Sequence, residues 1–158
     1  MRFVRSDATT IPLAGWVLVA DDDPDVCATL HWVLHEVGYG VCEAKDGVQT
    51  MAQLWASQRP LVVLLDYWMP RMNGGEVVRA VAADPRLADR HALVLLTSDR
   101  DGIPRALRAL AARRSIPIVG KPFELATLLA VVAEATQRLR QPAPRTLVVS
   151  GPRSAPEQ

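Results

Sequence analysis

Polar side chains stand at the ends of four short apolar runs in this sequence: Asp21 and Asp22, Asp66, Thr97, and Lys121. Packing alone does not require such a set of carboxylates with a hydroxyl and an ammonium group. Crowded carboxylates favour a hard divalent cation, and ligation by oxygen alone selects Mg²⁺ or Mn²⁺ over zinc. Beside that cation a carboxylate can attack phosphorus as a nucleophile. The hydroxyl and the ammonium group can then stabilise the transferred phosphoryl oxygens.

These side chains need a framework, and the chain supplies one by alternating apolar runs with segments of helical periodicity. The apolar runs predict five strands, at 16–20, 39–44, 61–66, 92–97 and 116–120. The intervening segments predict five helices, at 25–37, from the turn at 45–47 to about 57, and near 76–83, 103–113 and 124–140. Five strand–helix units in series predict an α/β fold with a parallel sheet covered on both faces.

The carboxyl ends of parallel strands form one rim of such a sheet, and ligands bind beyond that rim. We therefore expect the polar residues at the strand ends to converge there. Asp21, Asp22 and Asp23 could instead be only a cluster at a helix N-terminus, where negative charge is favourable. One of the three is expected to cap the helix, and Asp23 is the best placed because Pro24 suits the first turn.

The bulk properties indicate one soluble globular domain of ordinary composition. The 158 residues are 49% hydrophobic and carry a formal net charge of +1, which gives no general reason to expect binding to nucleic acid or to a membrane surface. The N-terminus lacks the apolar core of a signal peptide, and no run of about 18 apolar residues predicts a membrane span. Cys27 and Cys42 lie in apolar runs and are interpreted as small buried side chains in a reducing cytoplasm.

Four segments in order resemble the receiver domains of bacterial response regulators: VLVADDDPDV (17–26), LLDYWMPRMNGGE (64–76), VLLTSD (94–99) and VGKPF (119–123). The resemblance extends from about Trp16 to Arg140. It implies a flavodoxin-like (βα)5 fold, a doubly wound parallel sheet of five strands in the order 2-1-3-4-5. We therefore divide the chain into an N-terminal extension (1–15), a receiver domain (16–140) and a proline-rich flexible tail (141–158).

The resemblance also implies a role for each polar residue at the rim. Asp66 would be the phosphoacceptor. Mg²⁺, or Mn²⁺ in its place, would be held by Asp21, Asp22, Asp66 and the backbone carbonyl of Trp68. The phosphoryl oxygens would be contacted by Thr97 and Lys121. Pro122 resembles the family's cis-proline, which aims the lysine.

Two places depart from the family pattern: Arg114 and Ser115 stand where receivers often carry Gly-Ala, and Ile118 stands where they usually carry an aromatic residue. Ile118 occupies the switch position, where receivers usually carry the tyrosine or phenylalanine whose rotation couples phosphorylation to the output face. Trp68 is bulky and could overhang the phosphoryl site, so we expect it to slow attack by water. Arginines around the fourth predicted helix are either a solvated face or a docking surface for an acidic partner: Arg100, Arg105, Arg108, Arg113 and Arg114.

The resemblance implies a signalling switch rather than an enzyme, taking part only in its own phosphotransfer and autodephosphorylation. A histidine kinase or a phosphotransfer protein would supply the phosphoryl group, and an unidentified output protein would read it. A homodimer is possible, and no direct contact with membrane or nucleic acid is expected. Two alternatives stay open: an interaction scaffold that works without phosphorylation, and an aspartyl-nucleophile phosphatase. The phosphatase is disfavoured because haloacid-dehalogenase phosphatases carry an Asp-x-Asp pair, whereas Trp68 follows Asp66 and Tyr67 here.

Overall fold

A computed structural model of the chain describes residues 14–141. Its strands form one parallel sheet in the order β2-β1-β3-β4-β5. The strands are β1 Gly15–Ala20, β2 Tyr39–Ala44, β3 Val62–Asp66, β4 Ala92–Thr97 and β5 Ile118–Gly120. The predicted fold class and strand order are therefore confirmed. Most of the predicted N-terminal extension and almost all of the predicted tail lie outside the described residues.

Within residues 14–141, six helices connect or flank these strands. They are α1 Pro24–Glu36, α2 Gly47–Ala56, α3 Gly74–Ala83, α4 Pro85–Arg90, α5 Arg105–Arg113 and α6 Leu125–Arg140. Five correspond to the predicted helices. Asp23 caps α1 as expected, because its side chain accepts a hydrogen bond of 2.9 Å from the N–H of Asp25.

The sequence patterns did not predict helix α4. It has 6 residues, too few to show a helical repeat, and only Leu87 among them is buried. The local signals were nevertheless present. Asp84 accepts from the N–H of Arg86 at 3.0 Å, and Pro85 occupies the first turn. An Asp-Pro pair is typical of a helix start, and here it begins a single short helix rather than a loop.

Alternating strand residues feed two hydrophobic clusters, one on each face of the sheet. Leu18, Val63 and Leu95 point to one face, where α2, α3, α4 and α5 contribute Leu54, Val77, Leu87 and Leu107. Val19, Leu64 and Leu96 point to the other, where the cluster is completed from α1 and α6 by Leu30, Leu34, Leu128 and Val132. Because both faces are covered, the central strands must be apolar throughout.

Buried His91 joins three elements. Its Nδ1 accepts from the N–H of Leu61 at 3.2 Å, and its Nε2 lies 3.0 Å from the carbonyl of Leu54. These partners require a neutral ring with its proton on Nε2, since a second proton on Nδ1 would face another donor. Burial, together with the nearby charge of Arg90, lowers the pKa of His91 despite its bond to Leu54.

None of the helices in the described range 14–141 is long and apolar enough to cross a membrane.

We predict that His91 makes folding sensitive to acid. Its pKa in the fold is below its ordinary value of 6.5, so the fold favours the neutral ring. The stabilisation is present above pH 6.5 and is lost as the pH falls through the folded pKa. Urea unfolding at a series of pH values should show a smaller pH dependence in His91→Gln than in the wild type. Exposed His35 provides the control, and an unchanged pH dependence in His91→Gln, or an equal loss in His35→Gln, would contradict the assignment.

Candidate functional site

The candidate site lies at the carboxyl ends of the strands, where the sheet pairing brings distant segments together. Asp21 follows β1, and its N–H bonds to the carbonyl of Ala44 in β2 at 3.1 Å. Asp66 ends β3, which lies between β1 and β4. Lys121 follows β5, and its N–H bonds to the carbonyl of Thr97 at 2.7 Å. These residues reach one rim because parallel strands end on the same side of the sheet.

The ammonium group of Lys121 bridges two carboxylates. Its Nζ lies 2.9 Å from Oδ2 of Asp21 and 3.2 Å from Oδ1 of Asp66. The other oxygen of Asp21 accepts from the N–H of Asp23 at 2.9 Å, so both oxygens of this buried carboxylate have partners. Asp22 is exposed and completes the acidic group, in which one oxygen from each aspartate lies within 4.8 Å of the others.

The site raises the pKa of both Asp66 and Lys121. For Asp66, burial is the largest cause and the neighbouring charge of Asp21 adds to it, while Lys121 acts in the opposite direction. For Lys121, burial favours the neutral amine, but its bonds and attraction to Asp21 and Asp66 outweigh burial and raise its pKa. The raised pKa of Lys121 favours its charged form, and that charge in turn favours the ionised form of Asp66.

The donor set fits a hard divalent cation. Asp21, Asp22 and Asp66 offer only carboxylate oxygens, which suit Mg²⁺ or Mn²⁺ and not a metal that prefers nitrogen or sulfur ligands. A cation here would also relieve the mutual repulsion of these carboxylates, which a single lysine only partly offsets.

Thr97 lies at the rim, but in the described part of the chain its side chain forms no hydrogen bond with Asp66. It is fully buried at the end of β4. Its hydroxyl accepts from the N–H of Asp99 and donates to the carbonyl of the same residue, both at 3.1 Å. The predicted phosphoryl contact therefore requires this hydroxyl to change partner.

The remaining predicted positions lie around this centre. Trp68 is two residues beyond Asp66, 59% exposed, with its ring set edge-on to Tyr67 at 4.8 Å between centroids. Ile118 is half-buried in β5 and packs against the hydrophobic cluster beneath α5. The peptide bond between Lys121 and Pro122 is cis, in agreement with the resemblance. Metal ligation by the carbonyl of Trp68 stays a prediction.

The sequence patterns did not predict one ion pair that stabilises the loop after Asp66. Buried Asp46 caps α2 through the N–H of Gln49 at 2.7 Å, and its second oxygen lies 3.1 Å from Nε of Arg71. Arg71 has φ 65°, a left-handed conformation that costs energy in a residue other than glycine. The pair therefore stabilises an unfavourable turn in the β3–α3 loop. The Asp-Gly turn after β2 was visible in the sequence, but nothing local indicated its distant partner.

A contact with Gly47 pins the same loop. The N–H of Gly47 bonds to the carbonyl of Met72 at 3.0 Å. A Cβ on Gly47 would overlap that carbonyl, so the loop can approach α2 only at a glycine. Beyond it, Asn73 and Glu76 form a reciprocal capping box at the start of α3. The segment that follows Asp66 is thus anchored at several points.

Comparison with known proteins places this geometry in a family. Residues 17–133 match the response regulator receiver domain. The response regulator MprA of Mycobacterium sp. (strain KMS) is 38% identical over 114 residues, which are 72% of this chain and 47% of that protein. The transcriptional regulatory protein PrrA of Mycobacterium tuberculosis is 35% identical over 122 residues, or 77% of this chain and 50% of that protein. The chain spans about half the length of these curated relatives.

Solved structures share the fold. A CheY-like response regulator receiver domain protein from Methanospirillum hungatei has a TM-score of 0.67 at 28% identity, covering 80% of this chain and 98% of that one. The response regulator TrrA from Thermotoga maritima, in complex with Mg²⁺-BeF, has a TM-score of 0.64 at 24% identity and covers 77% and 98%. From the sheet order, the acidic rim and these matches together, the chain belongs to the response regulator receiver domain family.

Proposed function

We propose that this chain is a phosphorylation-controlled switch of a two-component phosphorelay, and that Asp66 accepts the phosphoryl group in a Mg²⁺-dependent reaction. The observation that carries the proposal is the Lys121 ammonium group, which lies within hydrogen-bond distance of both Asp21 and Asp66. A nucleophilic carboxylate beside a fixed cation, with two more carboxylates to hold a metal, suits transfer of a phosphoryl group.

The residues divide the chemistry among them. The Asp66 carboxylate attacks phosphorus and forms an O–P bond as the P–N bond of the donor phosphohistidine breaks and the imidazole leaves with the bonding electrons. Lys121 and Thr97 donate hydrogen bonds to the phosphoryl oxygens. Asp21, Asp22, Asp66 and the carbonyl of Trp68 would hold Mg²⁺, which when bound offsets the negative charge of the phosphoryl group. The ionised form of Asp66 is the nucleophile. Burial and the charge of Asp21 raise its pKa, and the positive charge of Lys121 acts in the opposite direction and so favours the ionised form.

Phosphorylation of Asp66 would be the signal that a partner protein reads. A phosphoryl group adds a charge of roughly −1.5 to −2 and shifts an equilibrium that a partner can read. We infer a histidine kinase or phosphotransfer protein as the donor, an unidentified output protein as the reader, and a cytoplasmic location. A homodimer is compatible with this role. The protein acts as a signalling component whose own reactions are phosphotransfer and autodephosphorylation.

A scaffold that works without phosphorylation is the second candidate. The specific observation in its favour is that the Thr97 hydroxyl forms its hydrogen bonds with Asp99 and not with Asp66. The ion pairs of Lys121 would then be only structural.

Intact mass spectrometry after incubation with acetyl phosphate and Mg²⁺ tests these candidates. We expect one phosphoryl adduct on the wild type and none on Asp66→Asn. Exposed Asp25 on α1 is a matched control, and Asp25→Asn should still be phosphorylated. Absence of an adduct on the wild type would favour the scaffold, and turnover of acetyl phosphate far above one equivalent would indicate a phosphatase.

Metal binding should depend on Asp22 in particular. We expect Asp22→Ala to weaken Mg²⁺ binding at least about tenfold, equivalent to about 1.4 kcal/mol, because it removes one of three clustered carboxylates. Isothermal titration calorimetry with MgCl₂ measures the affinity directly. Asp25→Ala removes the same charge nearby without touching the cluster and should retain the wild-type affinity. Equal affinities in the two variants would show that the cation binds elsewhere.

Trp68 should prolong the phosphorylated state. Its large exposed ring lies two residues from the acceptor, and removing it opens the site to attacking water. We expect Trp68→Ala to lose its phosphoryl group faster than the wild type when the decay is followed by intact mass. Trp55→Ala is the control, because Trp55 is 50% exposed on α2. An unchanged rate in Trp68→Ala would refute the shielding role.

A further inference from the structure

The loop between β4 and α5 begins at the candidate site with a threonine that has only one proton to donate. The Thr97 hydroxyl gives that proton to the carbonyl of Asp99 at 3.1 Å, and it accepts from the N–H of the same residue. A hydroxyl is a single donor. It cannot bond to a phosphoryl oxygen on Asp66 while it keeps the Asp99 carbonyl, so phosphorylation and this turn compete for one proton.

The residue after Asp99 reaches across to the open edge of the sheet. Nη2 of Arg100 lies 3.1 Å from the carbonyl oxygen of Ile118. The preceding carbonyl, that of Pro117, accepts from the N–H of Leu95 in β4 at 2.9 Å. Because successive carbonyls of a strand face opposite sides, the Ile118 carbonyl faces away from β4, where the described sheet ends. Arg100 therefore covers an edge acceptor that no strand of the described sheet pairs with.

Gly120 makes room for this contact. A Cβ built on Gly120 would lie 3.0 Å from Cδ of Arg100 and 3.4 Å from its Cγ. The aliphatic part of Arg100 thus packs directly against β5, one residue before Lys121. A hydrogen bond and a close steric contact hold the same side chain on the strand.

Arg108 ties the loop to α5. Its Nη2 donates to the carbonyls of Arg100 at 2.7 Å and Asp101 at 2.9 Å, and its Nε donates to the carbonyl of Ile103 at 3.1 Å. Asp99 closes the loop further by accepting from the N–H of Gly102 at 2.9 Å. These bonds connect Asp99, Arg100 and the start of α5 within one loop.

We propose that Arg100 is a positioning residue that couples the phosphorylation state of Asp66 to β5; the inference rests on the proposed function. Once the Thr97 hydroxyl turns to a phosphoryl oxygen, the Asp99 carbonyl loses its donor. The turn then shifts, and Arg100 releases the Ile118 carbonyl. The phosphorylated form thereby presents a free acceptor at the edge of β5, next to α5, for the output partner.

Amide shifts of ¹⁵N-labelled full chain test this inference, because the N–H of Val119 shares its peptide group with the Ile118 carbonyl. In the wild type, acetyl phosphate and Mg²⁺ should shift the amides of residues 118–120. In Arg100→Ala these amides should already be shifted before phosphorylation and should lose their response to it. Gly120→Ala, which crowds Arg100 from the other side, should also reduce the response.

Arg105→Ala on α5 is the control and should respond as the wild type does. Intact mass of each sample distinguishes the possible failures. A wild type that takes no phosphoryl group would overturn both the proposed function and the coupling. Phosphorylated Arg100→Ala whose β5 amides respond like those of the wild type would overturn the coupling alone, as would an equal loss in Arg105→Ala. A purely structural role would lower the melting temperature of Arg100→Ala without removing the response.

Discussion

The charge balance around Lys121 is the interaction on which the functional end of this molecule depends. Asp21 and Asp66 are both buried, and buried carboxylates side by side are costly unless positive charge and hydrogen bonds compensate them. One ammonium group, held at 2.9 and 3.2 Å from their oxygens, supplies that compensation. Asp21 follows β1, Asp66 is the last residue of β3 and Lys121 follows β5, so the balance exists only when the whole sheet is assembled in register. The charge compensation is also incomplete, because the pKa of Asp66 is raised despite the nearby lysine. A divalent cation would add further positive charge beside the carboxylates.

The two loops beside this centre are held in contrasting ways. The loop after Asp66 is pinned by the ion pair of Asp46 with Arg71, by the Gly47 contact and by a capping box. Such anchoring fixes the backbone that follows Asp66. The loop after Thr97 begins with a hydroxyl that donates its one proton to the carbonyl of Asp99, and the proposed phosphoryl group on Asp66 would offer that proton a second acceptor. A rigid loop on one side and an exchangeable bond on the other are compatible with the switch function proposed for this site.

Several arginine side chains in the described part of the chain donate hydrogen bonds to backbone carbonyls. Guanidinium groups donate to backbone carbonyls from Arg90 to Ser57, from Arg114 to Ala82, and from Arg138 to Ser115. Arg100 and Arg108 do the same around the β4–α5 loop. The arginine-rich stretch is therefore partly committed to internal bonds, so charge reversal at Arg108 would disturb the loop as well as any docking surface. Arg105 is the cleaner position at which to examine docking.

The sequence by itself determined the class of fold, the strand order through family resemblance, and the polar residues that meet at the rim. Apolar runs and helical spacing are local signals, and parallel strands place their ends together without further information. Helix α4 escaped because six residues are too few to show a period. Only the tertiary structure decided which contacts those residues make: Lys121 between two aspartates, Thr97 on Asp99, Asp46 on Arg71 and Arg100 on Ile118. Such partners are far apart in sequence or chosen among equivalent acceptors, and selection among them depends on packing that no local pattern encodes.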